Sequence, residues 1–266
     1  MKALSVLTAL LFVFPNPSAA QQAAAPAPTS SPQATTLLAK SAAALKGNVA
    51  ISDVTLSGTV ERIAGSDDET GTAVLKSIAT GASSITLSLP SGTRSEIQNS
   101  SSMPPTGAWS GPDGVPHATA FHNLLTGPAW FFPAFTIAQG LSASGCVATY
   151  VGAETHNGQA VQHVSLSQPS LFPGAPGALS PAHLTQVDLY LDSTTLLPSA
   201  VAFNVHPDNN ALKDIPVEIH FSNYTTVDGT QVPFHIQKYL NNSLILDFQT
   251  TSVTFNSGLT AASFSL

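Results

Sequence analysis

The 266-residue chain is 43% hydrophobic and only 9% charged, and its 15 acids against 8 bases give a formal net charge of -7. So few Glu, Lys and Arg exclude a coiled coil or a charged helical bundle, since ordinary soluble domains carry about 25% charged residues. The high apolar content argues against disorder, and nothing in the charge pattern supplies the basic stripe that nucleic acid requires.

In chain order, Met1-Lys2 is followed by the apolar run Ala3 to Phe14, the break Pro15-Asn16-Pro17 and the small residues Ser18-Ala19-Ala20. That is the form of a secretory signal peptide, residues 1–20. The run is too short to span a bilayer. The only cysteine is Cys146, so no cysteine follows the cleavage point and no internal disulfide is expected. The expected mature protein therefore starts near Gln21, carries no lipid anchor and is periplasmic or secreted. Residues 21–36, rich in Ala, Pro, Ser and Gln, read as a flexible leader. Residues 37–266 then form a single domain, in which no segment is apolar for long enough to make a transmembrane helix.

Leu37 to Lys46 predicts a short amphipathic helix, with Gly47 as its C-cap. Beyond Asn48 the texture is that of strands. Ile85-Leu87-Leu89, Val187-Leu189-Leu191, Val201-Phe203-Val205 and Val217-Ile219-Phe221 each alternate with wetter residues. Further strands are predicted over 54–63, 72–78, 147–151, 160–166, 232–240 and 244–255, about ten in all. Asn157-Gly158 and Asp228-Gly229 mark hairpin turns. The last of these fixes a register. If Val227 faces Thr230, then Phe221 pairs with Ile236, Ile219 with Lys238, Val217 with Leu240, Ser222 with His235 and His220 with Gln237. One face is then apolar except for Lys238, and the other carries the polar residues.

Between these strands lies a different segment, Pro128 to Leu141, rich in Phe and Trp. Trp130, Ala134, Ile137 and Leu141 keep helical spacing after a proline break. A short helix apolar nearly all round must be buried, and the inner side of a curved sheet is its natural partner.

The last third of the chain resembles a known group. Val187-Asp188-Leu189-Tyr190-Leu191-Asp192 leads to Leu197-Pro198. Val217-Glu218-Ile219-His220-Phe221-Ser222-Asn223-Tyr224 then leads through Asp228-Gly229 to Val232-Pro233-Phe234, with Val253-Thr254-Phe255-Asn256 and Phe264 closing the pattern. This succession is similar to the LolA/LolB/LppX-like periplasmic lipoprotein-carrier fold and to exported bacterial proteins related to it. The match covers about residues 185–264. The resemblance implies a mainly β fold with a few helices: a large curved antiparallel sheet, an unclosed half-barrel around an apolar cavity, covered by short helices. It also implies binding of acyl chains or lipid-like ligands, with the Trp130 segment as lid or plug. The quoted motifs do not decide between Arg62 and Arg94 for the family's cavity arginine.

Catalytic chemistry finds little support. Gly107-Ala108-Trp109-Ser110-Gly111 has the wrong spacing for a nucleophile elbow. Asp67-Asp68-Glu69 reads as a solvated hairpin loop, and Cys146 as a small buried residue. Eight histidines occur without a metal-ligand motif. His220 and His235, diagonal on one hairpin face with Glu218, would hold a metal weakly at best. No catalytic residue, metal site or cofactor is assigned. The reading is a non-enzymatic exported protein with a carrier-like half-barrel that binds a lipid or other apolar ligand through Trp130, Phe131, Phe135, Ile137 and Leu141. The alternatives are a structural or interaction domain with a filled core, and an outer-membrane β-barrel. The barrel suits the uneven strands and the helices poorly.

Overall fold

A computed structural model describes residues 28–45, 50–100, 104–127, 129–169 and 181–265. The expected signal peptide, most of the expected leader, the Gly47 cap and Pro128 lie outside the described residues.

Thirteen strands form one antiparallel sheet among the described residues. β1 (Asp53–Ala64), β2 (Asp67–Ile78), β3 (Ala82–Leu89), β4 (Gly92–Asn99), β5 (Thr106–Ser110) and β6 (Pro116–Ala118) meander outward to one edge. β7 (Val147–His156) starts at the opposite edge. β8 (Gln159–Ser167), β9 (Val187–Asp192), β10 (Pro198–Val205), β11 (Ile215–Val227), β12 (Thr230–Leu240) and β13 (Ser243–Phe255) then meander back until β13 pairs with β1. The two edges, β6 and β7, do not pair, so the sheet is an unclosed half-barrel.

This topology forces the middle of the chain across the sheet. Residues 119–146 must travel from the β6 edge to the β7 edge. They do so through a 3-10 turn (Phe121–Leu124), the aromatic run and helix α2 (Pro133–Ser142). Phe131, Phe132 and Ile137 are completely buried, in one core with Val54, Leu75, Leu189, Ile219, Ile236 and Phe248 from the strands. Helix α1 (Pro32–Leu45) packs against α2, β7, β8 and β12 through Ala34, Leu38, Ser41 and Leu45, one stripe at helical spacing. A short helix α3 (Pro181–Thr185) packs against β8.

Helix α1 begins at Pro32, inside the stretch expected as leader. Ser31 Oγ accepts the Ala34 backbone N–H at 3.2 Å, and Pro32 stands where its missing N–H is harmless. Ser30 Oγ accepts the Ala148 N–H at 3.0 Å and the Ser31 N–H donates to the Ala148 carbonyl at 2.8 Å. These contacts cover part of the β7 edge, which would otherwise offer unpaired backbone groups.

The expected hairpin register is the one observed: Val227 faces Thr230, Phe221 faces Ile236, Ile219 faces Lys238 and His220 faces Gln237. Asp228 and Gly229 both take positive φ, at 47° and 80°, as a two-residue type I′ turn requires. The family-like motif acquires a structural meaning here: the Tyr224 hydroxyl donates to the Pro198 carbonyl at 2.7 Å and ties β11 to the start of β10. Two further expectations need correction. Strands β4, β5 and β6 were not predicted, because their residues show no clean apolar alternation and β6 is exposed throughout. Asp67-Asp68-Glu69 opens strand β2 and is not a loop; the turn is tighter, at Gly65-Ser66. Glu69 accepts both the Ser91 backbone N–H and its hydroxyl at 2.8 Å.

Candidate functional site

The aromatic segment fills the centre of the half-barrel but not its end. Beside Trp130 a cavity of about 510 Å³ opens, walled by Ile85 and Leu87 of β3, Leu240 of β12 and Leu246 of β13, with Trp109 at its lip. Its size is in the usual range for small-molecule sites. Trp130 is 5% exposed and meets Phe131 edge-on at 5.7 Å between ring centroids. Trp109 is 47% exposed and stacks on His117 at 4.4 Å.

The charged lining is mainly basic. Arg62, Arg94 and Lys238 all reach this cavity, with Glu96 as an acid among them. Arg62 and Arg94 are the only two arginines of the chain. Lys238 Nζ stands 4.5 Å from the centroid of the Trp130 ring, a cation–π contact. The single exception in the apolar hairpin face thus has a place: it caps the tryptophan. Arg62 Nη1 lies 3.9 Å from Glu69 Oε2. Hydrogen bonds from Ser91 hold the Glu69 carboxyl below its usual range, with Arg94 and Arg62 adding charge, against burial. Arg94 Nε is buried and has no hydrogen-bond partner among the described residues.

The expected ligand-contacting residues are divided by the structure. Trp130 lines the cavity. Phe131, Phe135 and Ile137 are buried in the packed core behind it. Leu141, at the far end of α2, is 40% exposed and does not line the cavity. On the other flank of α2, a smaller cleft of about 150 Å³ includes Thr136, Gly140 and Cys146. Burial pushes the Cys146 thiol above its usual range and keeps it protonated, unsuited to nucleophilic attack.

On the outer face the histidines are engaged with carboxylates. His220 Nε2 and His156 Nε2 stand 2.6 Å and 2.7 Å from Glu218 Oε1, and Asn157 Nδ2 donates to the same oxygen at 2.8 Å. The His220 bond, opposed by burial and helped by His156 and Asn157, holds the Glu218 carboxyl down at about 2. His235 Nε2 instead meets Asp247 at 3.0 Å. His220 and His235 therefore face different carboxylates and do not converge on a shared ligand position. Among the described residues, the one group of three side chains gathered closely enough to hold a metal is His183, His206 and Asp214, none of which lines the Trp130 cavity.

Similar solved structures agree with this architecture. A domain named for outer membrane lipoprotein sorting, from Vibrio parahaemolyticus, is 13% identical with a TM-score of 0.56, covering 88% of this chain and 96% of that one. A LolA superfamily protein from Nitrosomonas europaea is 10% identical with a TM-score of 0.53, covering 88% and 97%. The chain has a LolA-like fold. A DUF1329 family protein from Desulfovibrio piger shares it, at 12% identity and a TM-score of 0.53, covering 88% and 96%. No protein-family model and no curated protein matches the sequence. The likeness is one of fold, which several functions can occupy. No helix among the described residues is long and apolar enough to cross a membrane.

The resemblance offered Arg62 and Arg94 as alternatives for one cavity arginine, but the gathering of both with Lys238 was not legible, because the three come from β1, β4 and β12, far apart in the chain. Lys238 left its own signal, a charge on an otherwise apolar strand face.

Proposed function

We propose that the protein is an exported, non-enzymatic binder of a single-chain amphiphile, cleaved near Gln21. The acyl chain occupies the cavity beside Trp130, and an anionic head group meets Arg62, Arg94 and Lys238. The observation that carries this reading is the gathering of both arginines and a lysine at an apolar cavity in a chain of net charge -7. A buried guanidinium N–H without a partner costs on the order of 1–3 kcal/mol or more. A carboxylate or phosphate head would supply the missing acceptor with the planar geometry arginine favours. Ten buried methylenes contribute about 8 kcal/mol at ~0.8 kcal/mol each, before the cost of ordering the chain. Together with the head-group contacts this suffices for micromolar binding, which needs about 8 kcal/mol net. Phe131, Phe135 and Ile137 form the packed wall behind Trp130 and set the depth of the site.

Native mass spectrometry of protein recovered from the periplasm reads both the mature N-terminus and any co-purified lipid. Palmitate titration in a Trp109→Phe background isolates the Trp130 emission. We expect saturable quenching or a spectral shift, lost in Arg94→Leu. The fully buried Phe131 and Phe132 favour a second reading, an interaction domain with a filled core. A bare chain in the spectrometer and a Trp130 signal indifferent to palmitate would establish that reading instead.

A further inference from the structure

His206 directly follows β10 and Asp214 directly precedes β11, at the two ends of one loop, while His183 sits in α3. The fold brings them together. His183 Nε2 and His206 Nε2 each stand 3.1 Å from one and the same oxygen, Asp214 Oδ1. The three ligand atoms all lie within 4.8 Å of one another, the one group of three histidine, cysteine or acidic side chains so gathered among the described residues. The His206 side chain is 1% exposed, and its Nδ1 is buried without a partner among the described residues. His183 and Asp214 are partly exposed and line a cleft of about 250 Å³.

The buried ring is held from behind. The His206 backbone N–H donates to Asn123 Oδ1 at 2.8 Å, and Asn123 Nδ2 donates back to the His206 carbonyl at 2.8 Å. His122 Nε2 donates to the neighbouring Pro207 carbonyl at 3.2 Å, and its ring stands edge-on to His206 at 5.7 Å. The 3-10 turn thus clamps the loop that carries His206, and a site so fixed needs little rearrangement to take up a ligand.

We propose that His183, His206 and Asp214 bind a divalent transition-metal ion, with a further coordination position open to the cleft. Two imidazole nitrogens and one carboxylate oxygen are a donor set suited to Zn²⁺. A tetrahedron with bonds of ~2.1 Å has donor–donor edges of about 3.4 Å, so the two His–Asp214 distances of 3.1 Å need open only slightly to admit the ion. Metal binding requires neutral imidazole. The Glu218 cluster offers the same residue types but is already completed by the Asn157 amide. A metal here would fasten α3 to the β10–β11 loop.

The test is calorimetric titration of the purified protein with Zn²⁺, with Co²⁺ absorption as a reporter of geometry. We expect one Zn²⁺ per chain and a Co²⁺ spectrum of a four-coordinate site. His183→Gln and Asp214→Asn alter partly exposed side chains. Each should weaken Zn²⁺ binding by at least ~10-fold and abolish the Co²⁺ band, with unchanged metal-free melting curves. Glu218→Gln should bind as the parent does. The proposal is overturned if the parent takes up no Zn²⁺, if both variants bind as tightly as the parent, or if Glu218→Gln is the change that removes binding.

Discussion

Glu218→Gln isolates the charge of the outer-face network, because the amide keeps an acceptor oxygen and nearly the same shape. In the folded protein the Glu218 carboxyl is lowered from 4.5 to about 2, first by the His220 bond, against burial, with His156 and Asn157 adding theirs. A shift of that size corresponds to roughly 3 kcal/mol. The side chain is 26% exposed, and solvent screening reduces the expectation to about 1–2 kcal/mol. Because the folded value lies below the unfolded one, the stabilisation is complete above 4.5 and disappears as pH falls towards 2. Urea melts of parent and variant across the acid range measure the gap. The variant should be less stable at neutral pH, and the two curves should converge between pH 4.5 and 2. A gap of constant size at every pH would show that the amide merely packs badly. Convergence already complete above pH 4.5 would assign the effect to a different titrating group.

Two further substitutions probe the sheet. Phe221 is 5% exposed on the inner face, so Phe221→Ala should cost about 3–5 kcal/mol in urea melts, against under ~1 kcal/mol for the exposed neighbour Ser222→Ala; the reverse order would mean a slipped hairpin. Gly58 lies at an irregularity in the β1–β13 pairing, where an added Cβ would stand 2.0 Å from the Gln249 carbonyl oxygen. Gly58→Ala should therefore lose on the order of 1–3 kcal/mol, whereas Gly127→Ala, whose methyl meets nothing nearer than 4.0 Å, should stay within ~0.5 kcal/mol.

What could be read from the chain follows the range of the interaction. The Asp228-Gly229 turn and the alternation on either side are local, and they determine the β11–β12 register residue by residue. Burial of the Trp130 segment follows from its composition alone. Strand β4 carries polar residues on both faces, since it lies towards an edge with only partial cover, and its sequence Gly92–Asn99 gives no two-residue rhythm. Its Arg94 is one of two alternatives for a cavity arginine until β1 and β12 bring Arg62 and Lys238 to the same cavity. His183, His206 and Asp214 follow no ligand-spacing motif, because a helix and a loop supply them separately. Even Leu141 kept the helical period of Trp130 and Ile137, yet at the end of α2 the core has run out and the side chain faces water.

The pairing of β1 with β13 has a consequence for how the molecule assembles. Val54 lies opposite Phe255, so the seam at the middle of the sheet joins positions from the two ends of the domain. The remaining ladders join strands adjacent in sequence and can zip up locally. A ribosome or translocation channel that delivers the chain from its N-terminus releases the first six strands long before their inner partner exists. Until β13 emerges, β1 is a bare edge, open to pairing with another chain. The high contact order of this final closure makes it the slow event. The protein's vulnerability to aggregation is thus concentrated in the interval between synthesis of its first strand and its last.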